Sequence, residues 1–221
     1  IDVNWDQGRG WNRYCPEDSD GPGDHAYVGC VAVAMGQAMS VYEHPNQGAG
    51  ESSYRHPDYG VISANYGETE YQWDLMSGSS SDDYNSLLLY HLAVSVEMDF
   101  APDGSGAYTR DAASALKTYF DYSSDLYYAN STEDEAWTAL MKSELDEGRP
   151  IIYGGNNGSD VGHAFNLDGY ADNGYFHVNW GWSGSFNGYY KLDALTPDGS
   201  DYSKNAKAVL NIRSEERRVG K

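Results

Sequence analysis

Basic residues are scarce in this chain of 221 residues, which carries 14 lysines and arginines against 34 aspartates and glutamates. The formal net charge of −20 repels phosphate backbones and anionic lipid headgroups. Nucleic acid and membrane surfaces are therefore not expected as partners. The sequence also lacks an apolar run of the roughly 18 residues that a membrane-spanning helix needs, so no membrane insertion is expected.

Cysteine is almost absent, with only Cys15 and Cys30 in the chain. Two thiols permit one disulfide, which would close a short acidic loop in a secreted protein. The alternative is that both stay free and that one is a nucleophile. No grouping of histidine, cysteine and carboxylates has zinc-ligand spacing, and the Asp-Gly pairs at 103–104 and 198–199 lack the alternating acids of a calcium loop. We expect no metal and no cofactor.

The sequence does contain enough apolar residues for a core, with 40% hydrophobic and 14% aromatic residues. Its length suits one domain or two lobes that share a core. Because it opens with Ile1 and has no basic-then-apolar signal, we expect an excised mature region. Residues 213–221 are abruptly basic and resemble a translated sequencing adapter, so we expect a non-native tail after a single domain over 1–212.

Helical periodicity dominates the first part of the chain. Small and apolar residues over 30–39 predict a buried helix, and apolar spacings of three and four predict helices over 83–97, 109–120 and 132–147. Residues 46–81 are rich in Gly, Ser, Asn and Tyr and are expected to form a loop.

Short segments of β type follow Pro150. They lie at 151–153, 164–167, 175–180, 188–192 and 208–212. The expected fold class is therefore α+β, with a helical lobe over roughly 1–148 and an antiparallel β lobe over 149–212. A site between the lobes would need one partner from each.

Cys30 follows Gly29 at the start of the first predicted helix. A helix N-terminus presents unpaired N–H groups and about half a positive charge, which favours the thiolate, the nucleophilic form of cysteine. The alternative interpretation of Cys30 is a small hydrophobic residue of the core.

His163 is the candidate partner of Cys30 from the second lobe. The Asp-Asn-Gly turn at 172–174 predicts a hairpin that sets His163 opposite residues 179–182. There the side-chain amide of Asn179 could hold the imidazole while an indole shields it.

Cysteine, histidine and asparagine together suit acyl transfer. A thiolate attacks a carbonyl, the imidazole pairs with it and later protonates the leaving amine, and the amide fixes the tautomer. Acyl transfer also needs an oxyanion pocket, which the side-chain amide of Gln7 and the backbone N–H of Cys30 could form.

Five segments together carry a resemblance to a known family: 6–8, 28–39, 162–165, 176–182 and 191–195. In order and spacing they resemble the streptopain family of secreted bacterial cysteine peptidases, which share the papain-like fold.

That family has its nucleophile at the position of Cys30, its general base at His163 and its oxyanion glutamine at Gln7. Asn179 and Trp180 match the segment that supports the histidine. The resemblance therefore implies these catalytic roles for this chain.

The resemblance also implies a secreted endopeptidase made with an inhibitory N-terminal pro-segment. Such enzymes cleave many proteins and prefer an apolar residue two positions before the cut. Gly162 and Trp182 are expected to contact the protein or peptide substrate. Two departures stand out: Val33, where the family often has threonine, and a loop over 196–204 that is shorter and more acidic than the glycine-rich loop of the family.

Other interpretations stay open at this point. An aromatic, acidic, β-rich protein could be a carbohydrate-binding module, and a peptidase fold can outlive its activity. The remaining histidines are expected at the surface or in packing roles; they are His25, His44, His56, His91 and His177. Of these, His177 is the closest rival to His163 as a base.

Overall fold

The computed structural model describes residues 1–132, 134–158 and 162–214. Along the chain its elements are α1 (Cys30–Ser40), β1 (Glu51–His56), β2 (Gly60–Asn65), a 3₁₀ turn (Trp73–Leu75), α2 (Asp83–Ser95), α3 (Thr109–Tyr119), β3 (Tyr127–Asn130), α4 (Glu135–Asp146), β4 (Ile151–Asn156), β5 (Gly162–Tyr170), β6 (Phe176–Asn179), β7 (Gly188–Tyr190) and β8 (Lys204–Leu210). Helices early in the chain and an antiparallel sheet late in it confirm the α+β class.

Helix α1 lies in the core, and residues 31–39 are all buried. A helix that is apolar on every side is stable only when it is surrounded, and α1 packs against both α2 and β5. Gly29 starts it with a φ of 92°, a left-handed conformation that favours glycine. A Cβ at Gly29 would lie 2.5 Å from the sulfur of Met98, so a larger residue would require the Met98 side chain to move.

The other three predicted helices are confirmed, and side-chain caps explain the starts of α2 and α4. The Asp82 carboxylate accepts from the backbone N–H of Asn85 at 2.9 Å, and the Asn85 side chain accepts from the backbone N–H of Asp82 at 2.9 Å. This capping box begins α2. Asp134 accepts from the backbone N–H of Trp137 at 3.1 Å, which places the start of α4 three residues after the predicted start at 132.

The predicted loop over 46–81 was wrong in its centre, where β1 and β2 form an antiparallel hairpin with Tyr54 opposite Ile62. Only alternate residues of the hairpin face inward, and several of them are polar. The Tyr54 hydroxyl, for example, donates to the carbonyl oxygen of Met98 at 2.6 Å. A strand whose inward side chains are polar but bonded has no simple hydrophobic alternation.

The later strands form one antiparallel sheet in the order β3-β8-β4-β5-β6-β7. All five predicted β segments lie in it, whereas β3 was not predicted. The predicted Asp-Asn-Gly turn joins β5 to β6, with Tyr170 opposite Phe176 and Asn166 opposite Asn179. Continued toward the start of β5, this register brings His163 to the predicted stretch after β6.

Two elements that precede residue 149 pack with this sheet. Strand β3 pairs with β8, and α4 places Trp137 and Met141 in the same apolar core as Phe165 and Trp180. A second core surrounds α1 and includes Ile152 and Ala164 from the other face of the sheet. The sheet therefore separates the two cores, and β5 has side chains in both.

The segment 213–221, expected to be a non-native tail, is described only in part. The carbonyl oxygen of Arg213 accepts from the backbone N–H of Ser123 at 3.0 Å. Ser214 forms an isolated antiparallel β-bridge with Tyr122. Residues 215–221 lie outside the described residues. In the part of the chain that is described, no helix has the length and hydrophobicity needed to cross a bilayer.

A buried histidine makes the helical lobe sensitive to acid. His91 is 6% exposed and bonded to the Tyr71 hydroxyl at 3.0 Å, and burial lowers its pKa to about 4. Its unfolded pKa is about 6.5, so between these values the unfolded chain binds a proton that the folded protein does not. We expect this site to reduce the free energy of unfolding by about 3 kcal/mol as the pH falls from 6.5 to 4.

Chemical denaturation at a series of pH values measures this loss. A His91→Gln variant keeps a polar partner for Tyr71 but cannot titrate, so its stability should fall less steeply over the same range. Equal slopes for the variant and the parent protein would contradict the assignment.

Candidate active site

Cys30 is the first residue of α1, as predicted, and is half-buried. Its Sγ accepts a hydrogen bond from the backbone N–H of Ala164 at 3.4 Å, so the thiol lies against the peptide that follows His163. Burial raises the pKa of the Cys30 thiol, while the backbone N–H groups at the helix start and at Ala164, and the charge of Lys207, lower it. The helix start therefore offsets part of the cost of removing the thiolate from water.

His163 lies at the start of β5 and is 8% exposed. Its Nε2 is 2.8 Å from the main-chain carbonyl oxygen of Trp180. Because a carbonyl oxygen only accepts, Nε2 carries the proton, and Nδ1 of the neutral ring keeps its lone pair. Nδ1 is therefore the atom that can take a proton from a thiol.

Aromatic rings enclose the imidazole of His163. Ring centroids lie at 4.6 Å for Trp182, 5.5 Å for Tyr202, 5.9 Å for Phe165 and 6.1 Å for Trp180. Both indoles are nearly parallel to the imidazole, at 24° for Trp182 and 14° for Trp180. Burial lowers the pKa of His163 to about 4, and the hydrogen bond to the Trp180 carbonyl acts in the opposite direction.

The thiol lies beside the strand of His163 because α1 packs on β5, and Sγ is bonded to the backbone N–H of the residue next to His163. Burial disfavours a lone thiolate at Cys30 and a lone imidazolium at His163. Proton transfer from Sγ of Cys30 to Nδ1 of His163 creates both charges together, and opposite charges attract strongly where water is excluded. The site therefore suits a thiol that is deprotonated by its neighbour rather than by solvent.

Asn179 lies at the end of β6, near the predicted place, but its side chain makes different bonds. Its Nδ2 donates to the carbonyl oxygen of Val3 at 2.8 Å, and its Oδ1 accepts from the backbone N–H of Gly181 at 3.2 Å. The group that holds the imidazole of His163 is the carbonyl of Trp180, not the amide of Asn179. The two bonds of Asn179 instead stabilise the turn that contains Trp180 and thereby orient its carbonyl.

Gln7, the predicted oxyanion residue, is half-buried in the segment before α1. Its carbonyl oxygen accepts from the backbone N–H of Val28 at 3.0 Å, which ties it to the chain two residues before Cys30. Its own backbone N–H donates to the Asp6 carboxylate at 2.6 Å. Among the residues described, the side-chain amide of Gln7 forms no hydrogen bond, so its N–H groups are available to a bound oxygen.

Trp182 and Gly162 were expected to contact substrate. Trp182 is half-buried with one face stacked on His163, and Gly162 is exposed at the first position of β5. Gly181, between the two indoles, has a φ of 72°, and a Cβ there would lie 2.9 Å from Cγ1 of Val33. Glycine at this position lets the turn approach α1 closely.

The competing candidates occupy other environments. Cys15 and Cys30 are both free thiols, so the disulfide considered above is not formed. Cys15 is 3% exposed, and burial raises its pKa. His177 bonds to Asp168 through Nδ1. Within the described ranges, no cluster of three or more His, Cys, Asp or Glu side chains is placed to hold a metal ion.

Two walls of the histidine pocket were not predicted. Phe165 lies two residues after His163 on one strand and therefore faces the same side, so strand periodicity could have found it. Tyr202 comes from the loop before β8, and no spacing in the sequence relates it to His163.

Known proteins resemble the chain over most of its length. The model of the Peptidase C10 family matches residues 5–190. The thiol protease/hemagglutinin PrtT of Porphyromonas gingivalis is 37% identical over 230 residues, which cover 95% of this chain and 26% of that protein. Streptopain of Streptococcus pyogenes is 30% identical over 218 residues, which cover 88% of this chain and 54% of that protein. The chain thus spans only part of the length of these relatives.

Solved structures show the same likeness. The active wild-type interpain A cysteine protease of Prevotella intermedia matches with a TM-score of 0.85 and 33% identity, over 95% of this chain and 92% of that chain. A prointerpain A fragment from the same organism matches with a TM-score of 0.82 and 32% identity, over 97% of this chain and 71% of that one. These matches confirm the expected α+β peptidase fold and the resemblance to streptopain. Because the family model matches residues 5–190, the chain belongs to the Peptidase C10 family, and the PrtT and interpain A relatives are cysteine proteases.

Proposed function

We propose that this domain is a secreted cysteine endopeptidase that hydrolyses protein substrates through a covalent acyl-enzyme. The observation that carries the proposal is the position of the Cys30 thiol, bonded to the backbone N–H that follows His163. The imidazole itself is held by the Trp180 carbonyl in the tautomer that leaves Nδ1 free to accept a proton.

In the first step, Nδ1 of His163 takes the proton of Cys30, and the thiolate attacks the substrate carbonyl carbon. The electron pair of the C=O bond moves onto oxygen, where the Gln7 amide and the backbone N–H of Cys30 donate hydrogen bonds. Collapse of this intermediate breaks the C–N bond, and His163 gives its proton to the leaving amine. Water then attacks the acyl-enzyme with His163 as base, which releases the acid product and the free thiol.

The enclosure of His163 supports the same assignment. Trp182 covers one face of the imidazole and reduces its contact with water. A dry environment strengthens the attraction between the thiolate and the imidazolium and limits loss of the proton to solvent. The resemblance to the streptopain family supports an apolar preference two residues before the cut, secretion, and an upstream pro-segment that inhibits the enzyme.

A peptide library tests activity and specificity together. The reduced protein is expected to cut internal peptide bonds, with apolar residues enriched several-fold two positions before the cut. Treatment with iodoacetamide should abolish cleavage, because it blocks the thiol that attacks the carbonyl. Mass spectrometry of the products identifies the cleavage sites.

A Cys15→Ser variant is the matched control, and it should keep both its activity and its sensitivity to iodoacetamide. Cleavage that persists after the thiol is blocked would contradict a cysteine peptidase. A flat profile at the position two before the cut would contradict the apolar preference alone.

A further inference from the structure

Two fully buried side-chain amides connect the elements of the proposed active site. Gln37 and Asn166 are each 0% exposed. Gln37 lies two helical turns after Cys30 on α1, and Asn166 lies three residues after His163 on β5. Because side chains alternate along a strand, Asn166 points to the face of β5 opposite His163. That is the face that packs on α1.

The two amides bond to each other and to the main chain around them. Gln37 Nε2 donates to Oδ1 of Asn166 at 3.0 Å. Asn166 Nδ2 donates to the carbonyl oxygen of Ala34 on α1 at 3.0 Å and to that of Ile151 on β4 at 3.4 Å. Strand β5 is thereby bonded to α1 at two points and to its neighbouring strand.

The same network reaches the segment that carries Gln7. The backbone N–H of Trp5 donates to Oε1 of Gln37 at 3.1 Å. The Gln37 amide therefore bonds to two elements. Its Oε1 bonds to the chain two residues before Gln7, and its Nε2 bonds to the strand of His163. The three elements that carry the proposed nucleophile, base and oxyanion residue meet at one pair of buried amides.

Directional bonds of this kind fix a distance that apolar packing does not. An apolar contact between helix and sheet has no preferred direction, whereas a buried amide that moves away from its partner is left as an unpaired polar group, which is unfavourable. Catalytic groups need placement within about 0.5 Å, and a misplacement of 1 Å can cost about 100-fold in rate.

Resting on the proposed roles of Cys30 and His163, we propose that Gln37 and Asn166 are positioning residues that set the separation of thiol and imidazole. Neither side chain touches the reacting atoms. Their effect on the rate comes through the placement of α1 against β5 and of the segment that carries Gln7.

Asn166→Leu and Gln37→Met test this role, since both substitutions remove the hydrogen bonds and keep most of the volume. We expect kcat to fall about 100-fold in each variant while KM changes less than about threefold. Alkylation of Cys30 by iodoacetamide should slow in parallel, because its rate depends on the thiolate that His163 supports. The double variant should lose little more than either single variant, because the pair acts as a unit.

Asn85→Leu is the matched control for loss of a buried amide. Asn85 is also 0% exposed, but its side chain bonds to Ser77, Ser80, Asp82 and Ser86, all within eight residues of it in sequence and none of them on α1 or β5. This variant should lose melting temperature as the test variants do, with kcat of the folded protein unchanged.

Unchanged kcat in folded Asn166→Leu and Gln37→Met, with a melting temperature lowered as in Asn85→Leu, would overturn the proposal. So would failure of both test variants to fold under conditions in which Asn85→Leu folds, because the pair would then act on stability alone. Parent activity that resists iodoacetamide would instead refute the cysteine peptidase function. The two failures are therefore distinguishable.

Discussion

Replacement of Cys30 by serine is expected to lower kcat for peptide hydrolysis by about 10⁵-fold or more. A hydroxyl in the same place is far less acidic than a thiol, so it does not form an ion pair with His163 at neutral pH, and the site loses its preformed nucleophile. The backbone N–H groups that face Sγ lower the pKa of the thiol, but they cannot bring a serine hydroxyl into the range of imidazole. Steady-state hydrolysis of a denatured protein measures the loss.

Cys15→Ser provides the control for this substitution, because Cys15 is buried and burial raises its pKa. That variant should keep parental kcat and KM. In the parent protein, iodoacetamide should label Cys30 at least about 100-fold faster than Cys15, as judged by mass spectrometry of the two peptides. Equal labelling rates together with unchanged turnover in Cys30→Ser would refute Cys30 as the nucleophile.

Much of the architecture could be predicted because it depends on patterns among residues that are neighbours in sequence. The apolar run over 31–39 specifies a buried helix, and the Asp-Asn-Gly turn specifies the β5–β6 hairpin. The hairpin of β1 and β2 could not be predicted in this way. Its inward side chains include tyrosine and serine that are bonded after folding, so no hydrophobic alternation marks them in advance.

The residues of the site also divide into those that neighbouring sequence predicts and those that only the fold brings together. The start of α1 identifies Cys30, and the turn before β6 places His163 opposite residues 179–182, because each depends on neighbouring residues. The acceptor for Nε2 could not be predicted, since a main-chain carbonyl at Trp180 leaves no trace in residue type. Prediction from side-chain chemistry therefore favoured the amide of Asn179, which lies one residue away and braces the turn.

Long-range side-chain pairs are the other part that sequence patterns miss. Gln37 within an apolar helix and Asn166 within an apolar strand each violate the local pattern. The violation indicates a buried polar group that must find a partner, but it does not say which residue 129 positions away provides it. Tyr202 is missed for the same reason, since only the folded sheet brings its loop to His163.

The second large effect concerns the choice between two histidines on neighbouring strands. His163→Ala is expected to lower kcat by about 10⁴-fold or more, because the thiol loses its base and the leaving amine loses its acid. His177→Ala should leave kcat within about threefold of the parent value, since His177 is bonded to Asp168 and takes no part in the proposed proton transfers. Its expected cost is a lower melting temperature, because the largely buried Asp168 carboxylate loses that partner.

Chemical rescue separates a missing base from a damaged fold. Removal of the His163 side chain leaves a ring-shaped space against the faces of Trp182 and Trp180, whose planes are nearly parallel to the lost imidazole. Free imidazole at millimolar concentrations is expected to enter this space, bond to the Trp180 carbonyl and restore part of the activity of His163→Ala. It should do nothing for Cys30→Ser, which retains its own imidazole. A large loss of kcat in His177→Ala with a normal melting temperature, or parental kcat in His163→Ala, would reassign the base to His177.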